Sequence, residues 1–192
     1  MRIYKNDWGK ANEETAPHLI ISVAKTREDL IASTEMLKLV STVEHKNVLD
    51  FGCGMGRNTF ALTNIANNVV GYDFPNMIEL LKKDKRYSET KNLELFTVNQ
   101  WDDLKQRKFD IVVASLVFQH IPVDVLEEYL KSLSKMTKFL YLSSRSYLDY
   151  GAGPVLVPVD KYFRFLSKEE EQKSWEKIKE EHFTVIMESK AV

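Results

Sequence analysis

A chain of 192 residues, 44% of them hydrophobic and 29% charged, has the size and make-up of one globular domain with room for a real core. Its formal net charge of −1 supplies no basic field for a polyphosphate backbone, which disfavours nucleic acid as the main partner. The single cysteine, Cys53, has no internal disulfide partner, the start Met1-Arg2-Ile3-Tyr4-Lys5 lacks a signal peptide's apolar stretch, and no apolar run approaches membrane length, so a cytoplasmic protein without a membrane anchor is expected.

Residues 1–25 show no period; Tyr4 and Trp8 stand among charged and amide side chains. This segment reads either as an arm packed on the domain or as a lid over a ligand, with residues 26–192 as the domain proper. Thr26 offers an N-cap, and Leu30, Leu37, Val40 and Val43 share one face of a helix predicted to run to about Val43.

Asn47-Val48-Leu49-Asp50-Phe51 is a short apolar strand that ends near an acid, and Gly52, Gly54 and Gly56 follow within five residues. Glycine accepts φ > 0 and lacks a Cβ, so the spacing predicts a tight turn where backbone comes close to a ligand. A helix predicted over about Arg57–Ala66 takes off from that turn, and its unpaired N–H groups favour an anion. Dinucleotide folds use G-x-G-x-x-G instead. Cys53, inside the turn, reads as a small residue in backbone contact and not as a nucleophile.

Asn67-Asn68 predicts the end of that helix, and Val69-Val70-Gly71-Tyr72-Asp73 a buried strand ending in a second acid. Asp73 lies 21 residues beyond Gly52, where nucleotide folds place a carboxylate for two ribose hydroxyls. It also reads as a plain helix cap, because Pro75 suits the first turn of the next helix.

Leu93–Val98 is the third predicted strand, running into Asn99-Gln100-Trp101. Trp101 either stacks on a purine face or caps the core. Phe109–Ser115 is nearly continuous in apolar residues, as a central parallel strand should be. Gln119 and His120 follow its carboxyl end, where open α/β sheets bind ligands. His120 suits a general base, a helix cap or a satisfied core histidine.

Pro122 opens a helix with Val125/Leu126, Tyr129/Leu130 and Leu133 at helical spacing, and Lys138–Arg145 is the fifth strand. Arg145, Tyr147 and Tyr150 begin what reads as the longest irregular stretch, to about Phe165. Arg145 either pairs with an acidic group on a substrate or makes a surface ion pair. Ser167-Lys168-Glu169-Glu170 reads as a capping box opening a last helix with Trp175 and Ile178 turned inward, and His182–Glu188 as a final strand. The sheet is then six-stranded, unless Val155-Leu156-Val157 adds a seventh.

The D-x-G-x-G-x-G run from Asp50 to Gly56 resembles motif I of the class I S-adenosylmethionine (SAM) dependent methyltransferases. Val70–Met77 is similar to the segment that follows motif I in that family, and Leu116–Pro122 resembles its motif IV; Asn99 departs from the aspartate usual at its position. The resemblance implies a Rossmann-like, doubly wound, mostly parallel α/β sheet of six or seven strands with helices on both faces. It further implies SAM as cofactor, leaving as S-adenosylhomocysteine (SAH), held by Asp50, Gly52, Cys53, Gly54, Gly56, Asp73, Phe74, Met77, Gln100, Trp101 and Ser115. Asp50 is assigned to the amino-acid end of the cofactor, Asp73 to the ribose, and Phe74, Met77 and Trp101 to the walls of the adenine.

Methyl transfer from a sulfonium is a direct displacement, so aligning the acceptor is the protein's main task and is worth ~7–11 kcal/mol. The acceptor is read as an O or N of a small molecule, or an exposed group of a larger one, gripped by Tyr4, Trp8, Gln119, Arg145, Tyr147 and Tyr150, with His120 as the catalytic candidate. His18, His45, His120 and His182 show no ligand spacing, so no metal is expected. An inactive SAM- or SAH-binding regulator of the same fold is the alternative. A nicotinamide dehydrogenase is opposed by the glycine spacing.

Overall fold

The computed structural model describes residues 32, 34–42, 46–145, 153–177 and 182–191. Among them run seven strands: β1 (Asn47–Phe51), β2 (Asn68–Asp73), β3 (Leu93–Thr97), β4 (Phe109–Ser115), β5 (Thr137–Arg145), β6 (Phe163–Phe165) and β7 (His182–Ser189). They form a sheet in the order β3-β2-β1-β4-β5-β7-β6. β1 with β2, β2 with β3 and β4 with β5 pair parallel, while β7 is antiparallel to both β5 and β6. This is the mostly parallel α/β class expected, at its larger strand count. The chain divides into two compact units, Met1–Leu104 and Lys105–Val192.

In the first unit, β1 is buried along Val48, Leu49, Asp50 and Phe51, as a strand covered on both faces must be. Its register sets Asp50 beside Gly71 and Phe51 beside Tyr72, and β2 in turn sets Asp73 beside Thr97. The helix before β1 is described over Thr34–Ser41 with Met36 and Val40 buried; its expected start at Thr26, with Leu30 and Val43, lies outside the described residues. The helix after the glycine turn is shorter than expected, Thr59–Thr63. At and beyond its end the Asn92 side-chain amide donates to the carbonyls of Thr63 and Ala66 at 2.9 and 3.0 Å. Asn67 and Asn68 therefore do not cap it; their N–H groups donate to the Lys46 carbonyl. Pro75 does open the helix Pro75–Lys82, behind an extended Phe74.

In the second unit, β4 carries four wholly buried residues in a row, Ile111 to Ala114. The helix Val123–Met136 buries Leu126, Leu130, Leu133 and Met136, a stripe at spacings of four and three; Val125 stays exposed. The segment expected to be irregular up to Phe165 contains a helix, Leu156–Asp160, and the strand β6. Val155–Val157 is thus no strand, and Phe163–Phe165 supplies the seventh. Pro158 is tolerated because the first turn of a helix has unpaired N–H groups in any case. Ser167 opens the helix Lys168–Lys177, its Oγ accepting the N–H of Glu170 at 3.1 Å. Trp175 there is only half-buried beside buried Ser174, and Ile178 lies outside the described residues. No helix among the described residues is long and apolar enough to cross a membrane.

Candidate functional site

The turn between β1 and the helix Thr59–Thr63 is built on left-handed backbone at Gly52 (φ 77°), Gly54 (φ 55°) and Gly56 (φ 88°). A side chain at Gly56 would meet the Phe60 ring at 2.5 Å, so the bend needs both the φ and the missing Cβ there. The turn is tied to β2: Gly52 and Cys53 donate their N–H groups to the Tyr72 carbonyl at 2.8 and 3.1 Å.

Asp73 ends β2 beside this turn. One carboxylate oxygen accepts the N–H of Gly54 and the other that of Phe74, both at 2.7 Å. Asp73 is therefore not the cap of the following helix, whose N-cap position is Phe74. Each oxygen keeps a second lone pair. Burial pushes the Asp73 carboxyl up from 3.8 to about 6, against the two N–H donors that favour the charge.

Asp50, buried in β1, accepts the Thr59 hydroxyl at 2.6 Å. Burial lifts it too, from 3.8 to about 6; the Thr59 hydroxyl opposes the rise, the Asp73 charge adds to it, and Arg57 opposes it. Two acids so raised make a region that gains from a positive ligand. Next to them Asn58 is buried with a side-chain oxygen that accepts no hydrogen bond. The sequence pattern passed over both Asn58 and Thr59; a polar pair just beyond three spaced glycines was the available signal.

The expected walls divide. Phe74 is exposed at 37%, whereas Met77 is buried with Met55 and Leu80. Cys53 points into the core with Phe60, Ile78 and Leu81, and burial raises its thiol well above the usual range. Trp101 lies against Tyr72, with ring centres 5.3 Å apart, and edge-on to Phe51 at 6.1 Å. Gln100 folds back so that its oxygen accepts the N–H and hydroxyl of Thr97 at 3.0 and 3.2 Å.

In the second unit, Ser115 closes β4 and Leu116 follows in left-handed backbone (φ 59°), its N–H held by the Ser143 carbonyl at 2.6 Å. A non-glycine residue there costs about 1–3 kcal/mol, a cost tolerated where the fold needs the bend. A short turn over Phe118–His120 comes next. Buried Gln119 accepts the Ser144 hydroxyl at 3.1 Å and the Arg145 N–H at 2.5 Å, and its amide nitrogen lies 3.2 Å from Nε2 of His120. The Arg145 side chain is exposed at the end of β5. Tyr4, Trp8, Tyr147 and Tyr150 lie outside the described residues. Among the described residues no three His, Cys, Asp or Glu side chains come together as a metal site.

Residues 48–139 match a family model described as a methyltransferase domain. A curated relative, a ubiquinone biosynthesis O-methyltransferase of Hydrogenovibrio crunogenus, is 28% identical over 90 residues, 46% of this chain and 37% of that one. A phosphoethanolamine N-methyltransferase of Haemonchus contortus, solved with phosphoethanolamine and SAH, aligns at TM-score 0.52 and 22% identity over 74% of this chain and 31% of its own. The N-methyltransferase NodS of Bradyrhizobium japonicum, solved with SAH, aligns at TM-score 0.63 and 16% identity over 94% of both chains. The chain thus spans about a third of the first two and nearly all of the third, and the structural likenesses are likenesses of fold.

Proposed function

We propose that residues 48–139, which match a methyltransferase-domain model, form a class I, Rossmann-like methyltransferase domain, and that the chain binds SAM over the glycine turn and moves its methyl group to an O or N of a small molecule or an exposed group. The observation that carries this reading is a left-handed glycine bend that leaves the strand of buried Asp50 and is braced by Asp73, whose carboxylate accepts the Gly54 N–H at 2.7 Å; burial raises both carboxyls. SAM brings a sulfonium and an ammonium, and two acids short of positive charge are suited to such a ligand.

The residues fit the cofactor. Asp73 has lone pairs left for two ribose hydroxyls after taking the Gly54 and Phe74 N–H groups. The unpaired oxygen of Asn58 suits an ammonium donor, with Asp50 behind it supplying charge. Exposed Phe74 and half-buried Trp101 offer apolar surface to adenine, and backbone groups around Gln100 offer it hydrogen bonds. When bound, SAM supplies an already activated methyl carbon. The chain's own residues then hold the cofactor and align the acceptor, which is where the rate gain lies. On this reading Ser115 serves the cofactor, Gln119, His120 and Arg145 serve the acceptor, and the product is SAH. The cytoplasm, with its SAM supply, is the proposed setting.

Isothermal titration with SAM, SAH and NAD, followed by transfer of labelled methyl from SAM into a cell-extract metabolite pool, tests this. Binding of SAM and SAH but not NAD, together with labelled product, is the expected result. Tight NAD binding, or SAM binding with no labelled product, sinks it.

A further inference from the structure

Gln119 is a closely held polar side chain of the second unit. It is 2% exposed, and its side chain reaches two residues of β5, Ser144 and Arg145, as well as its neighbour His120. The backbone N–H of Arg145 only donates, so the atom facing it at 2.5 Å must be the amide oxygen. That fixes which way the amide points: its NH₂ faces His120 Nε2 at 3.2 Å. An amide nitrogen has no lone pair to offer, so Nε2 of the imidazole is the acceptor and the neutral ring carries its proton on Nδ1.

We infer that Gln119 is a positioning residue that locks His120 in the Nδ1–H tautomer. The lock is rigid because its far end is pinned: Leu116 donates to the Ser143 carbonyl at 2.6 Å, and the turn closes through the His120 N–H on the Val117 carbonyl at 3.0 Å. The consequence for substrate class rests on the methyltransferase reading. With Nε2 accepting from Gln119 and Nδ1 carrying the proton, neither ring nitrogen presents the vacant lone pair that a general base needs. The chain is then matched to acceptors that arrive with a lone pair already available, such as a neutral amine or a pre-ionised oxygen. An acceptor hydroxyl that must first lose its proton to His120 is the wrong class.

The test reads the tautomer itself. Long-range ¹⁵N–¹H correlation spectra of the full-length ¹⁵N-labelled protein are recorded at about pH 8, above the ordinary histidine range, with His120 assigned by the signal lost in His120→Asn. The wild-type ring is expected to show protonated Nδ1 and bare Nε2. Gln119→Glu keeps an oxygen acceptor for Ser144 and Arg145 but presents His120 with a group that only accepts. In that variant the proton is expected on Nε2. A wild-type Nε2–H tautomer overturns the inference, as does a folded Gln119→Glu protein whose His120 keeps a bare Nε2. If the variant does not fold, the wild-type spectrum alone decides. Because no cofactor enters the measurement, a correct tautomer without methyl transfer would sink only the proposed function.

Discussion

The Asp73 carboxylate accepts the backbone N–H of Gly54 at 2.7 Å, so the acid that ends β2 is also a brace for the turn that leaves β1. This one contact makes the glycine bend and the proposed ribose anchor a single unit. Asp73→Ala is expected to weaken SAM binding at least tenfold and to cost about 1–3 kcal/mol of stability, since two N–H groups lose their acceptor. Titration calorimetry and chemical denaturation check both. Unchanged affinity in a folded variant would remove Asp73 from the site.

The raised carboxyls also set a pH dependence of stability. Burial pushes the Asp50 and Asp73 carboxyls up to about 6 in the fold, against an ordinary value of 3.8. A native pKa above the unfolded one means the fold holds the proton more tightly. The stabilisation is therefore complete below about pH 4 and lost as pH climbs through about 6, at roughly 1.4 kcal/mol per unit of difference. The melting temperature attributable to these groups should fall between pH 4 and pH 7. Asp50→Asn keeps an oxygen for the Thr59 hydroxyl, so it should raise the melting temperature at pH 7, leave it nearly unchanged at pH 4, and flatten the profile.

A cation at the site reverses that preference. SAM binding near pH 6 is expected to expel protons from Asp50 and Asp73, visible as binding enthalpies that change with the ionisation enthalpy of the buffer. SAH, which lacks the sulfonium charge, should release fewer. Equal release by the two ligands would mean the carboxyls do not sense the sulfonium.

Two glycines in the turn should respond differently to alanine. At Gly54 the nearest atom to an added Cβ is the Met77 methyl at 3.8 Å, so Gly54→Ala meets only the left-handed penalty, about 1–2 kcal/mol. At Gly56 the added atom meets the Phe60 ring at 2.5 Å, and that ring is buried with the Arg86 guanidinium 4.2 Å above it. The ring has little room to yield, and Gly56→Ala should lose about 2–5 kcal/mol in denaturant titrations.

Cys53 should resist alkylation in the folded protein and react once it unfolds, because its thiol is buried and burial holds it protonated. Mass spectrometry of iodoacetamide-treated protein, with and without denaturant, reads this. Rapid labelling of the native protein would contradict the core position.

The first unit was readable in the sequence because its demands are local. Three glycines spaced by one residue announce a backbone that few other residues adopt, and an acid at the end of each of two apolar runs marks where the strands stop. Asn58 and Thr59 were missed because a polar residue just after such a turn carries no period. β6 was missed for a different reason. It is three residues long, too short for alternation to show, and it follows the short helix Leu156–Asp160. The engagement of the Gln119 oxygen with Ser144 and Arg145, 25 and 26 residues further on, was not legible either. No pattern in a linear chain announces a partner at that distance.

The outer border of the sheet, β6, is three residues long, and across it Arg164 clasps the Glu188 carboxylate with two N–H groups at 3.0 and 2.8 Å. An incoming strand from a second molecule would find a ladder too short to template on, guarded by a guanidinium. This margin of the protein is thereby protected from the runaway edge-to-edge stacking that open sheets invite.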